Sequence, residues 1–218
     1  MVVAEIQAAS IVLLGSFNPT IFQPRWLGTQ NLIRPEEADS AKITVIQSEV
    51  SDFSTEWFQL QVLQSRLLVS TQDPRQFAPL RDLVAAFCTI LPHTPVTAAG
   101  FNREFHCKMS SEEAWHAIGD VLAPKESWSR IMVKPRPGLR SMVMQGARAE
   151  NGGIVLVKIE PSTRVEFGVY ISLNEEFKKP DGASDGAQWV SEKLAEQWEA
   201  SGQYSELVAS HLLGLAKV

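Results

Sequence analysis

Between Phe101 and Met109 apolar and polar side chains alternate. Phe101, Phe105, Cys107 and Met109 fall on one side, Asn102, Glu104, His106 and Lys108 on the other. Only an extended strand with one dry and one wet face produces this period, and such strands belong to antiparallel sheets with a solvated side. The pattern recurs where Phe58, Leu60 and Val62 oppose Gln59 and Gln61, and where Val165, Phe167, Val169, Ile171 and Leu173 oppose Glu166, Tyr170 and Ser172. A dry sheet face needs a cover. Helical stripes supply one: Leu80, Leu83, Val84, Phe87 and Leu91 share one face, as do Ala187, Val190, Leu194 and Trp198. The expected fold class is α+β, with antiparallel sheet or sheets covered by helices.

Local signals place the elements. Strands are expected at 11–17, 43–50, 57–63 and 66–71. The first long helix becomes regular near Pro79, because a proline inside a helix removes a hydrogen bond. Ser110-Ser111-Glu112-Glu113 reads as a capping box with Trp115, Ile118 and Leu122 behind it, and Pro124 opens a further helical turn carrying Trp128. Segments 139–149 and 153–160 pair across Asn151-Gly152, a hairpin signal. The last stripe ends at Gly202, and a separate helix follows at 204–215. Strand meander then helix occurs twice, so one α+β domain over 1–218 is expected, with possible related half-units at about 1–92 and 93–218.

Four runs carry a resemblance: Trp57-Phe58-Gln59-Leu60-Gln61, Arg66-Leu67-Leu68-Val69-Ser70, Asp82-Leu83-Val84 and Ala99-Gly100-Phe101-Asn102. Together they resemble a sporadically distributed family of uncharacterised bacterial proteins, whose strand–strand–helix–strand unit ends in a Gly-aromatic-Asn-like strand. The Gly-Leu-Arg-Tyr start of that strand in the family is absent here. The resemblance implies the fold, a bacterial host and a mobile or antiviral-defence setting. It implies no activity.

Composition narrows the class. The 218 residues are 44% hydrophobic and 21% charged, as in an ordinary globular chain. A net charge of -5 disfavours a general nucleic-acid binder. Cys88 and Cys107 are too few for a disulfide framework. No run is long and apolar enough to span a bilayer, so no membrane association and a cytoplasmic location are expected.

The motifs are sparse. Gly182-Ala183-Ser184-Asp185-Gly186 matches a nucleophile elbow in letters, but a charged loop separates it from the preceding strand and only His211 follows. Glu112, His116 and Asp120 share one helix side, yet no Cys-x-x-Cys or His-Glu-x-x-His accompanies them, so neither metal nor cofactor is expected. Asn102, Glu104 and His106 form a polar strand row that works as an acid/base site if it lines a cleft, or is plain solvated surface with little weight in stability. Lys125, Arg130, Lys134, Arg136 and Arg140 form a basic stretch suited to an anion, with solvated loop charges as the plain alternative. Trp26 reads as a loop aromatic without a helical partner and a candidate interface anchor.

No catalytic residue is assigned. The reading reached is a non-catalytic binding or assembly subunit of a bacterial cytoplasmic complex, with a protein partner or self-association. Two alternatives stay open: an enzyme or small-ligand protein using Asn102, Glu104 and His106, and a nucleic-acid- or nucleotide-linked protein using the 125–140 stretch.

Overall fold

The computed structural model describes residues 4–128, 131–132, 137–148, 150, 152–183 and 185–217. It is an α+β fold built on one nine-stranded antiparallel sheet. The long strand β1 (Ile6–Gly15) is followed by two short helices, α1 (Pro24–Thr29) and α2 (Pro35–Ser40). A meander comes next: β2 (Lys42–Ile46), β3 (Val50–Ser54), β4 (Gln59–Leu63) and β5 (Arg66–Thr71), closed by helix α3 (Phe77–Ile90). The order then recurs with β6 (Val96–Lys108), α4 (Glu112–Leu122), β7 (Met142–Ala147), β8 (Ile154–Pro161), β9 (Gly168–Lys178) and α5 (Gly186–Gly214).

Across the sheet the strand order is β2-β3-β4-β5-β1-β6-β9-β8-β7. The two long strands, β1 and β6, pair at the centre, and each meander returns to the flank of its own long strand. Helices α1 to α5 lie on one side of the sheet. Leu80, Val84 and Phe87 of α3 and Ala187, Val190, Leu194 and Trp198 of α5 pack on Ile11, Leu13, Leu60, Val69 and Phe101. Ile118 of α4 and Ala209 of α5 cover Phe105, Ile159, Val169 and Ile171. Each such fully buried aliphatic or Phe side chain contributes roughly 1.5–3 kcal/mol, so this one-sided core holds the sheet.

Several boundaries differ from the sequence expectation. Segment 43–50 is not one strand: Gln47 N–H donates to the Val50 carbonyl at 2.7 Å, and the chain turns there between β2 and β3. Helix α3 starts at Phe77, ahead of Pro79; the first four helical N–H groups have no intrahelical acceptor, so a proline in that turn loses nothing. The segment after Pro124 is a hydrogen-bonded turn rather than a helix, with Trp128 N–H donating to the Lys125 carbonyl. Gly202 does not end a helix. It lies inside α5, which runs unbroken for 29 residues.

Candidate functional site

The helices leave the opposite face of the sheet uncovered, and pairing register shows what lines it. Side chains of directly paired residues point to the same face. One such row crosses every strand: Lys42, Ser54, Gln59, Ser70, Ser10, Asn102, Asn174, Leu156 and Gln145. Its centre is hydrogen-bonded laterally. Asn174 Nδ2 donates to Asn102 Oδ1 at 2.6 Å, and Asn102 Nδ2 donates to Ser10 Oγ at 3.0 Å. On the β3–β5 side, Asp52 accepts from Gln61 Nε2 at 2.7 Å and from Gln59 Nε2 at 3.3 Å, and Arg66 donates to Gln61.

The polar row expected on β6 therefore belongs to this open face. Asn102 and Glu104 are partly exposed there, with Ser172 and Lys158 continuing the Glu104 row on β9 and β8. His106 departs from the expectation of a solvated residue, being only 7% exposed. Residues 162–167, the β8–β9 loop, fold back over it, and Arg164 Nη2 reaches Gln72 Oε1 at 3.1 Å. Ser162 Oγ lies 2.8 Å from His106 Nδ1. That oxygen already accepts from the Arg164 and Val165 N–H groups, so its own proton goes to Nδ1 and the imidazole carries its proton on Nε2. Burial, and then the Arg164 guanidinium, hold the His106 pKa below its ordinary value and keep it neutral. The arrangement is a loop anchor. Tyr170, its ring tilted by 39° against His106 at a centroid distance of 4.8 Å, has its pKa raised by burial.

The basic stretch is seen in part. Lys125 points back at the end of α4: its Nζ donates to the Gly119 carbonyl at 2.6 Å and lies 3.6 Å from Asp120 Oδ1. A cation there satisfies the carbonyls that every helix C-terminus leaves unpaired. Arg140 is exposed. Arg130, Lys134 and Arg136 lie outside the described residues, as does Ser184 of the Gly-x-Ser-x-Gly run. Trp26 requires a correction: it lies on helix α1, partly buried, with its ring 5.6 Å from Phe22 and 6.4 Å from Phe87. Pro24 starts a helix that hydropathy alone did not reveal.

The remaining chemistry-bearing groups are placed as follows. His116 Nε2 is 3.7 Å from Glu112 Oε1 on α4, and among the described residues no three His, Cys, Asp or Glu side chains converge as a metal site. Cys88 and Cys107 are buried free thiols, both pushed up by burial to about 11, which leaves little nucleophilic thiolate. Among the described residues no helix is long and apolar enough to cross a membrane.

Sequence reasoning missed the partners rather than the residue types. Gln59 and Gln61 stood on a wet strand side, but their meeting with Asp52 and Arg66, and that of Asn102 with Asn174, requires knowing which strands are neighbours. No family model and no curated protein matches the chain.

Proposed function

We propose that this protein is a non-catalytic binding subunit of a cytoplasmic complex, and that it docks a protein partner on the helix-free face of its sheet. The observation that carries the reading is the row of hydroxyl and amide side chains running through Gln59, Ser70, Ser10, Asn102 and Asn174. Uncharged donors and acceptors in an extended row complement a peptide backbone and polar side chains. Exposed Leu14, Leu156 and Val143 on the same face add apolar anchors.

Charge favours a protein over a nucleic acid. Lys42, Arg66, Lys108, Lys158 and Lys178 share the face with Asp52, Glu104, Glu160 and Glu176, and Lys158 pairs with Glu160 at 2.9 Å. A polyanion needs a large surplus of cations, and these interspersed charges nearly cancel. The test is a photo-crosslinking residue placed at Ser70 on the open face, and separately at Glu196 on α5, in the native host. Adducts with a protein from Ser70, absent from Glu196 and lost when Asn102→Arg is added, support the reading. Adducts from Glu196 alone, or none from Ser70, overturn it.

A further inference from the structure

Arg103 is out of place by composition. It points to the helix side of β6, between the buried Phe101 and Phe105, and is itself only 6% exposed. Its guanidinium lies 3.8 Å over the Trp198 ring and 5.0 Å from the Phe77 ring centre. Nη1 donates to the Asn102 carbonyl at 3.2 Å. An arginine has five N–H donors, and among the described residues no ion pair answers this one. Arg148 shows the contrast, held by Glu175 at 3.1 Å and Glu150 at 3.2 Å. Burial lowers the Arg103 pKa to about 10 against the opposing pull of Glu199 and Glu206, so the group remains a cation near neutrality.

The guanidinium forms part of the wall of a cleft of about 290 Å³ between the start of α3 and the middle of α5. Gly202 makes room for it: a Cβ there would lie 3.3 Å from Arg103 Nη2. Aromatic walls come from Phe77, Phe105 and Trp198, and the mouth carries the exposed Glu199 and Glu206. Glu199 is joined to Arg81 at 3.3 Å, whereas no ion pair engages Glu206 among the described residues.

Glu199 and Glu206 act on this cation only from the exposed mouth and make no direct ion pair with it, and a buried planar guanidinium is matched by a carboxylate in contact with it. A simple anion would have to pass two glutamates. A molecule with a carboxylate at one end and an ammonium at the other satisfies both ends of the cleft. We propose that this cleft binds a small amino-acid-type zwitterion, its carboxylate on Arg103, its ammonium towards Glu206 and its apolar side group against Trp198 and Phe77. The site lies on the helix side of the sheet and is independent of the open-face reading.

Calorimetric titration of the full chain with L-phenylalanine, L-leucine, 3-phenylpropionate and phenethylamine tests it. Saturable binding of at least one of the two amino acids is expected, with 3-phenylpropionate and phenethylamine at least ten-fold weaker than L-phenylalanine. R103M should abolish the binding. E206Q, at an exposed position, should erase the preference for L-phenylalanine over 3-phenylpropionate, and it carries the test if R103M does not fold. Equal affinity for L-phenylalanine and 3-phenylpropionate, no binding of either amino acid, or unchanged binding by folded R103M overturns the proposal.

Discussion

Asn174 of β9 donates its amide hydrogen to Asn102 of β6 at 2.6 Å, and through Asn102 the bond continues to Ser10 of β1. The two long central strands are thereby tied to the second meander by side chains as well as by backbone. Asn102→Ala removes both bonds at once. On a partly exposed face water replaces much of what is lost, so the expected destabilisation is about 1 kcal/mol, within the usual net worth of such bonds. Urea unfolding of the variant measures it; a loss above about 3 kcal/mol would mean that the row is structural core rather than recognition surface.

The Arg148–Glu175 pair is the second expected sensitivity. Glu175 is 3% exposed and the Arg148 side chain 11%, with Arg148 also 4.7 Å from the Tyr204 ring. Glu175→Gln leaves a buried cation whose remaining ion pair among the described residues is with the exposed Glu150. Removing one partner of a buried pair typically costs about 3–5 kcal/mol, and the remaining Glu150 bond should hold the loss near the lower figure. Chemical denaturation reads it directly. Replacing both residues, Arg148→Met with Glu175→Leu, should recover a large part of that loss.

His106 makes stability depend on pH. An unfolded imidazole titrates near 6.5, and burial with Arg164 sets the folded value lower. Between the two values the unfolded chain binds the extra proton, so stability rises with pH across that window. It is complete above about pH 6.5 and is lost as pH falls through the folded pKa. His106→Gln should flatten this part of the profile while lowering stability at neutral pH, because Ser162 loses its bond partner. Melting series at several pH values on both proteins decide the matter; parallel slopes would assign the dependence to other groups.

Gly15 closes β1 where the chain turns away, and a Cβ there would fall 2.0 Å from the Pro95 carbonyl oxygen. Backbone cannot move aside as a flexible side chain can. Gly15→Ala should therefore destabilise by more than about 2 kcal/mol, in the range of overpacked core sites. Gly146→Ala, where no atom lies near the added carbon, serves as the control and should be close to neutral. Thermal unfolding of the pair checks the difference.

Much of the local structure was legible. Alternation from Phe101 to Lys108 identified a strand and divided its faces correctly, because a strand's side-chain period is a property of the backbone alone. The same holds for β5, matched end to end at Arg66–Thr71, whereas the capping box read at Ser110–Glu113 fell one residue early: Ser111 caps α4, its hydroxyl accepting from Ala114 N–H, and the N3 position is an alanine. Trp26 and Gly202 were misread for a common reason. Each looks like loop or breaker material in isolation, and each is explained by what lies across the space from it: Phe22 and Phe87 for the tryptophan, the Arg103 guanidinium for the glycine.

Amino-acid order alone thus determined how side chains divide between the two faces within most strands and helices, since periodicity acts over a few neighbours. Phe167, read as part of a dry strand face, lies instead in the exposed loop before β9. Tertiary structure decided the rest. That β1 and β6 lie side by side, that Asn174 meets Asn102, that loop 162–167 shuts over His106, and that Arg103 lies over Trp198 in an aromatic cleft are relations between residues far apart in the chain. Such relations follow from strand order and helix placement, which are set by the joint burial of all the dry faces at once rather than by any segment's own pattern.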